Sequence, residues 1–280
     1  MLPNLLPNLL NDIVDCHVHT APSLMPRRHT DGEILAIARQ VGVGTVVLKA
    51  HEGSTVERAR VQGDSAIGGI VLNSPVGGAN PDAVSVAAAL GGRIVWMPTV
   101  SAPAHVAARN SPELSVHRDV RFSEVPIVIE GRVRDEWHDV IDLVAKHDLV
   151  LASGHLNMDE AITVFELAVA RGVQRLLVNH PQLPFLEWRD EHLSRFRQLG
   201  ARVEIGVVAD RLAKTNPSPT EYFLDHYPRE FLVFGSDLGH ETFPEYGSGI
   251  RDWIAKLAKK LDPSGLEAVL SKNGKELLGT

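Results

Sequence analysis

The chain has almost no cysteine. Cys16 is the single one among 280 residues, so no internal disulfide can form, and that usage suits a reducing, cytoplasmic setting. Charge of one sign is not concentrated either. Lys plus Arg number 28 against 35 Asp plus Glu, for a net charge of −7. There is no basic block to attract nucleic acid or an anionic membrane surface. No apolar run approaches the roughly 18 residues needed to span a bilayer. The opening MLPNLLPNLL is apolar but lacks a basic start and is broken by Pro3 and Pro7; it reads as an N-terminal arm over 1–12, not a signal peptide. No GxGxxG follows the first strand-like run and no GxxxxGK[ST] occurs anywhere, which removes the usual support for a nucleotide-binding open sheet.

What the chain does have is alternation. Short β-rich runs begin near Ile13, Thr45, Ile67, Arg93, Leu149, Arg175, Ala201 and Phe231, and helical stretches separate nearly all of them. Several helices carry start signals: Thr30 with Glu33, Ser54 with Glu57, Asn80 before Pro81, and Asn157. Buried strands joined by helices mean a parallel sheet covered on both faces. Eight such units in 280 residues predict a single α/β domain over 1–280, a (β/α)8 TIM barrel. The irregular part is 101–134, an excursion after strand four with a possible hairpin, which is followed by a helix from about Asp135 to His147.

Polar residues fall where such a barrel builds its active site. His17 and His19 end the first run, His155 the fifth, His180 the sixth and Asp237 the eighth. Strand carboxyl ends converge on one face, and a spacing of two points both first-strand imidazoles the same way. A lone strand-end histidine is usually a packing residue. Four imidazoles and one carboxylate on one face are a borderline donor set that suits zinc, iron, manganese or nickel better than magnesium or calcium.

Weaker candidates surround this set. Lys49 ends the second run, with His51 just beyond it; His240 follows Asp237; Glu204 is mid-strand, where a buried carboxylate needs a partner. Asp15 shares the parity of His17 and is a candidate to orient it, whereas Cys16 has the opposite parity and is expected against the helical layer. Arg27 and Arg28, in the loop after the first strand, are candidates to hold a substrate anion. Asn73 and the glycines at 77–78 are candidate anion-binding backbone. His29, His105, His117, His138, His147, His192 and His226 read as ordinary surface or packing histidines.

DCHVHT with the later SGH, VNHP and GSD resembles the metal-dependent amidohydrolase superfamily. VLKAHEG, GGIVLNSPVGGANP, GGRIVWMPTVSA, SGHLNMDE and VNHPQ are similar to an uncharacterised amidohydrolase-like family known only as a domain of unknown function. The resemblance implies a distorted barrel with one or two divalent ions, zinc first. It implies His17 and His19 at the more buried ion, and His155 and His180 at a second ion or at substrate. Asp237 is implied as both ligand and proton shuttle, with metal-activated water attacking an amide, lactam, lactone or ester carbonyl. One departure stands out: strand four, RIVWMPTV, offers no bridging lysine or glutamate. Lys49 is then a displaced bridging carbamate, a substrate-binding cation or a salt bridge at the barrel mouth. That gap keeps a mononuclear decarboxylase in view, with a phosphoesterase and a non-catalytic metal-containing binding protein behind it. The expected partner is a small molecule, and a homo-oligomer is left open.

Overall fold

The computed structural model describes residues 12–117 and 119–280. The expected arm therefore lies, apart from Asp12, outside the described residues. In chain order the strands are β1 (Ile13–His19), β2 (Val43–Lys49), β3 (Ala66–Ile67), β4 (Gly69–Val71), β5 (Ile94–Trp96), β6 (Val128–Ile129), β7 (Arg132–Val133), β8 (Val150–Ala152), β9 (Arg175–Val178), β10 (Arg202–Ile205) and β11 (Leu232–Phe234). β3 and β4 are one run interrupted at Gly68, so all eight expected runs are present. β6 and β7 form the antiparallel hairpin of the excursion, turning through Glu130 and Gly131, both at positive φ, as a tight two-residue turn requires.

Pairing is otherwise parallel. One sheet runs β1-β2-β3 and the other β11-β10-β9-β8-β5-β4. Chain continuity through Gly68 joins them on one side. On the other side Val18 bridges Leu238 in parallel, with the Asp237 amide donating to the His17 carbonyl at 2.8 Å and the His19 amide to the Leu238 carbonyl at 2.9 Å. The eight runs thus follow one another around a distorted parallel barrel. No helix among the described residues is long and apolar enough to cross a membrane.

Strand alternation divides the core. Ile94, Trp96, Val150 and Ala152 belong to an inner cluster with Val14, Val47, Val71, Leu177, Val233 and the last helix's Leu277 and Leu278. Val95, Met97 and Leu151 belong to the larger layer beneath the helices. Cys16 is in the inner cluster, not the helical layer expected for it. The reason is a bulge: Asp15 pairs with Val46 and Val18 with Leu48, so β1 has three steps where β2 has two. The extra residue reverses facing within the strand. It also separates Asp15 from the His17 ring. Asp15 instead accepts from the His17 amide at 3.2 Å and the Ser236 amide at 2.8 Å, and from the Tyr246 hydroxyl at 3.1 Å. Its buried carboxyl thus ties β1 to the end of β11, and burial raises it to about 6 against those donors.

Most start signals hold: Thr30 and Asn157 lead capping boxes with Glu33 and Glu160, and Asn80 caps its helix. Ser54 is displaced by one. It reaches Glu57 at 2.8 Å, but Thr55 is the cap residue of the helix Val56–Gln62.

Gly239 shows how tight the join between β1 and β11 is. Its φ is +130°, and an added Cβ would stand 1.8 Å from the His19 carbonyl oxygen. Gly239→Ala should lower the unfolding free energy by more than about 2 kcal/mol, read by denaturant melts; wild-type stability in that variant would show that the join is not under this constraint.

Candidate metal centre

β1 delivers His17 and His19 side by side, with Nε2 atoms 3.2 Å apart. Asp237 reaches them across the join; its Oδ1 is 3.0 Å from His17 Nε2 and 3.1 Å from His19 Nε2. Two ligands about 2.1 Å from one ion at right angles are about 3.0 Å apart, so this triangle fits one face of a transition-metal shell. The outer nitrogens are pinned as metal-binding histidines require. His17 Nδ1 donates to Glu204 Oε1 at 2.9 Å and His19 Nδ1 to the Lys49 carbonyl at 3.0 Å. Glu204 Oε2 in turn accepts from Asn179 Nδ2 at 2.7 Å. Asp237 and His180 both hold positive φ, 54° and 28°, a strained backbone for non-glycine residues that concentrates at functional sites.

A second donor group, His17 with His180 and Glu204, shares His17 with the first. Using His17 Nδ1 there would give up its bond to Glu204, so the two groups compete. His180 Nδ1 is buried without a partner. His155 is in neither group; its Nδ1 meets His105 Nδ1 at 2.8 Å, the rings stacked.

Burial by itself would push the His17 imidazole down, but the Asp237 and Glu204 carboxylates raise it to about 9. Burial would raise Asp237, yet His17 and His19 hold it well below the usual carboxylate range. Glu204 is likewise held down against burial by His17. Burial lowers Lys49 to about 8 against the pull of the same carboxylates. Its Nζ is 3.1 Å from His17 Nε2 and 5.4 Å above the Trp96 ring. Burial keeps His19, His51, His117 and His155 far below 6.5 and takes His105 and His180 to about 4. Around the ion-paired centre lies a wall of neutral imidazoles.

That wall corrects the sequence reading of His105 and His117. The excursion's helix Pro103–Ala108 and 3-10 turn Pro112–His117 carry them inward, their ring centres 5.1 Å apart, and His117 is 5.0 Å from His51. No strand-end position marks either one. Their only sequence signal is lying in the excursion above the mouth. His51 stacks on His19 at 4.8 Å. Asn73 is a buried scaffold: its side-chain amide donates to the His51 carbonyl and to Thr99 Oγ1 and accepts from the Thr99 and Ser101 amides, while the Gly77 and Gly78 amides, expected to meet an anion, donate to the Ser74 and Asn73 carbonyls at 3.0 and 3.2 Å. Arg28 does not face the pocket. It is exposed, with its guanidinium on the Glu241 and Phe243 carbonyls, whereas Arg27 lines the pocket with His19, His51, His155, His180 and Asp237. His240 is buried, bridged to Arg27 through the backbone and bonded to Thr242.

The model of a family described as a family of unknown function (DUF6282) matches residues 12–204. No curated protein matches the chain. Among solved structures, it is similar to a probable 2-pyrone-4,6-dicarboxylic acid hydrolase from Acinetobacter baumannii with citric acid bound (TM-score 0.64, 11% identity, 96% of this chain and 100% of that one). It is similar also to 2,6-dihydroxybenzoate decarboxylase from Rhizobium (0.60, 12%, 95% and 98%) and to an amidohydrolase from Burkholderia multivorans (0.51, 13%, 95% and 99%). At such identities the likeness is one of fold.

His17 sets a pH dependence for the metal-free protein. Its folded pKa lies above the ordinary 6.5, at about 9, so its stabilisation is complete below 6.5 and lost as pH rises through 9. Asp15 titrates below this window. Metal-free stability should fall from pH 6.5 to about 8, above which Lys49, lowered to about 8, offsets the loss with the opposite sign, and Glu204→Gln should flatten the fall. Parallel pH curves for variant and wild type would assign the dependence to another group.

Proposed function

The chain belongs to the DUF6282 family, and we propose that it is a metal-dependent hydrolase of the amidohydrolase type acting on a small molecule with an amide, lactam, lactone or ester carbonyl. One observation carries this reading: the triangle of His17 Nε2, His19 Nε2 and Asp237 Oδ1, with sides of 3.0 to 3.2 Å, at the carboxyl end of a parallel barrel. These three residues would hold one divalent ion, zinc first, with His180 as a fourth donor candidate. The single shared His17 favours one ion over two. A divalent ion there supplies Lewis acidity at the carbonyl and makes water easier to deprotonate.

The chain's own groups do the rest. Asp237 is 18% exposed where His17 and His19 are 1% and 4%, so its carboxylate is the part of the centre that meets substrate. It takes the proton of the attacking water and returns it to the leaving group. Its depressed pKa keeps it ionised for that first transfer. Glu204 holds the His17 ring in the tautomer that turns Nε2 toward the centre. Lys49 and the neutral His155 are candidates to steady the carbonyl oxygen as charge develops. The 101–134 excursion, carrying His105 and His117, covers the mouth and limits water.

A mononuclear decarboxylase is the second reading. It is favoured by the single triangle and by the end of β5, where Met97, Pro98 and Thr99 provide no bridging carboxylate or lysine. A carbon dioxide release assay separates it from hydrolysis of activated esters and lactones.

Protein purified without chelator or nickel affinity should contain about one equivalent of zinc, iron or manganese by plasma mass spectrometry. His17→Ala with His19→Ala should lose it, and Glu204→Gln should weaken metal affinity about 10- to 100-fold. Asp237→Asn should stay folded without turnover. An absence of metal, with no thermal stabilisation on adding any, would end the metal-dependent reading; full activity in Asp237→Asn would remove its proton role.

A further inference from the structure

Two buried N–H donors face the same pocket without acceptors. Arg27 Nε has no partner; among the described residues its guanidinium makes one hydrogen bond, Nη2 to Met25 Sδ at 3.3 Å, and the Asp237 and Glu52 carboxylates favour its charge without bonding it. His51 is the second. Thr99 Oγ1 already accepts from Asn73 Nδ2 at 2.7 Å, and the acceptor in reach of its hydroxyl hydrogen is His51 Nδ1 at 2.7 Å. That assignment leaves the proton on His51 Nε2, which is buried and unpartnered. Unsatisfied buried donors are costly and call for an acceptor from the ligand.

The loop after β1 is built to hold this arrangement. Thr20 and Arg58 both bind Asp31, the Arg28 amide donates to the Gly239 carbonyl at 2.9 Å, and the Arg28 side chain clamps the next loop. Arg27 bridges His240 and the chain bends at Arg28; with Arg28 anchored outward, Arg27 lines the pocket. The field of Arg27 reaches His19, His51 and His117, whose protonation it opposes. Apolar side chains form another part of the lining: Leu183, Phe185, Leu212 and Phe243.

We propose that Arg27 and His51 form a carboxylate-recognition subsite, so that the substrate is a small carboxylic acid whose cyclic or aromatic body packs on the apolar lining while its reacting group faces Asp237. This rests on the reading of the pocket as a substrate site. It does not depend on which bond is broken. A guanidinium fork matches a carboxylate in two hydrogen bonds, a match that a neutral amide of the same shape does not provide.

The test uses benzoate and its neutral isostere benzamide as probes in calorimetry, on wild type, Arg27→Met and Arg27→Lys, each metal-free and zinc-loaded. Wild type should prefer benzoate in both forms. Arg27→Met should lose about 10- to 100-fold in benzoate affinity with benzamide unchanged, and Arg27→Lys should fall between. Equal metal content and melting temperature across the three proteins excludes misfolding. The proposal is overturned if wild type does not discriminate, if the preference survives Arg27→Met, or if it vanishes on chelation, which would put the carboxylate on the ion. Should the chain bind no metal yet keep an Arg27-dependent preference, the metal-dependent reading fails and this one stands.

Discussion

The structure depends on the join between β1 and the stretch after β11. Backbone hydrogen bonds from Asp237 to His17 and from His19 to Leu238 close the ring of strands and, in the same stroke, bring the Asp237 carboxylate onto the two first-strand imidazoles. Asp15 reinforces the join from the outer side through Ser236 and Tyr246. Architecture and candidate chemistry thus share one set of contacts. The ring cannot loosen there without separating the donors.

Electrostatics sorts the buried polar residues into two zones. At the base, His17 sits among Glu204, Asp237 and Lys49, so opposite charges offset each other's desolvation. Toward the mouth the histidines lack carboxylates and are kept neutral by burial. Arg27 is the cation at this outer zone. A cavity with charge confined at its floor and one guanidinium at its side has a defined polarity, and a ligand entering it is oriented before any chemistry begins.

Much of this was legible in the sequence. Alternating runs and capping residues located the strands and most helices, because burial on both faces and N-terminal capping are local demands. Strand-end position singled out His17, His19, His180 and Asp237, since a parallel barrel converges its carboxyl ends. Glu204 was legible as a buried carboxylate in need of a partner, and His17 is that partner. Other residues depended on features that a linear reading lacks. Facing along β1 follows from a bulge set by its pairing with β2, so parity misplaced Cys16 and Asp15. Arg27 and Arg28 are neighbours in sequence, and only the loop's anchorage to Gly239, Glu241 and Phe243 decides which enters the pocket. His105 and His117 come from an irregular segment with no periodicity from which to read a direction.

The sequence by itself determined the parallel α/β barrel, the set of strand-end donors and the class of metal they suit, because these follow from periodicity and from residue chemistry. The tertiary structure decided how those donors combine: His17, His19 and Asp237 on one triangle, His155 turned to His105, Glu204 behind His17, Arg27 inward. Those relations are distances between segments as far apart as residues 17 and 237, and they are fixed by how the strands register and close, which no local pattern encodes.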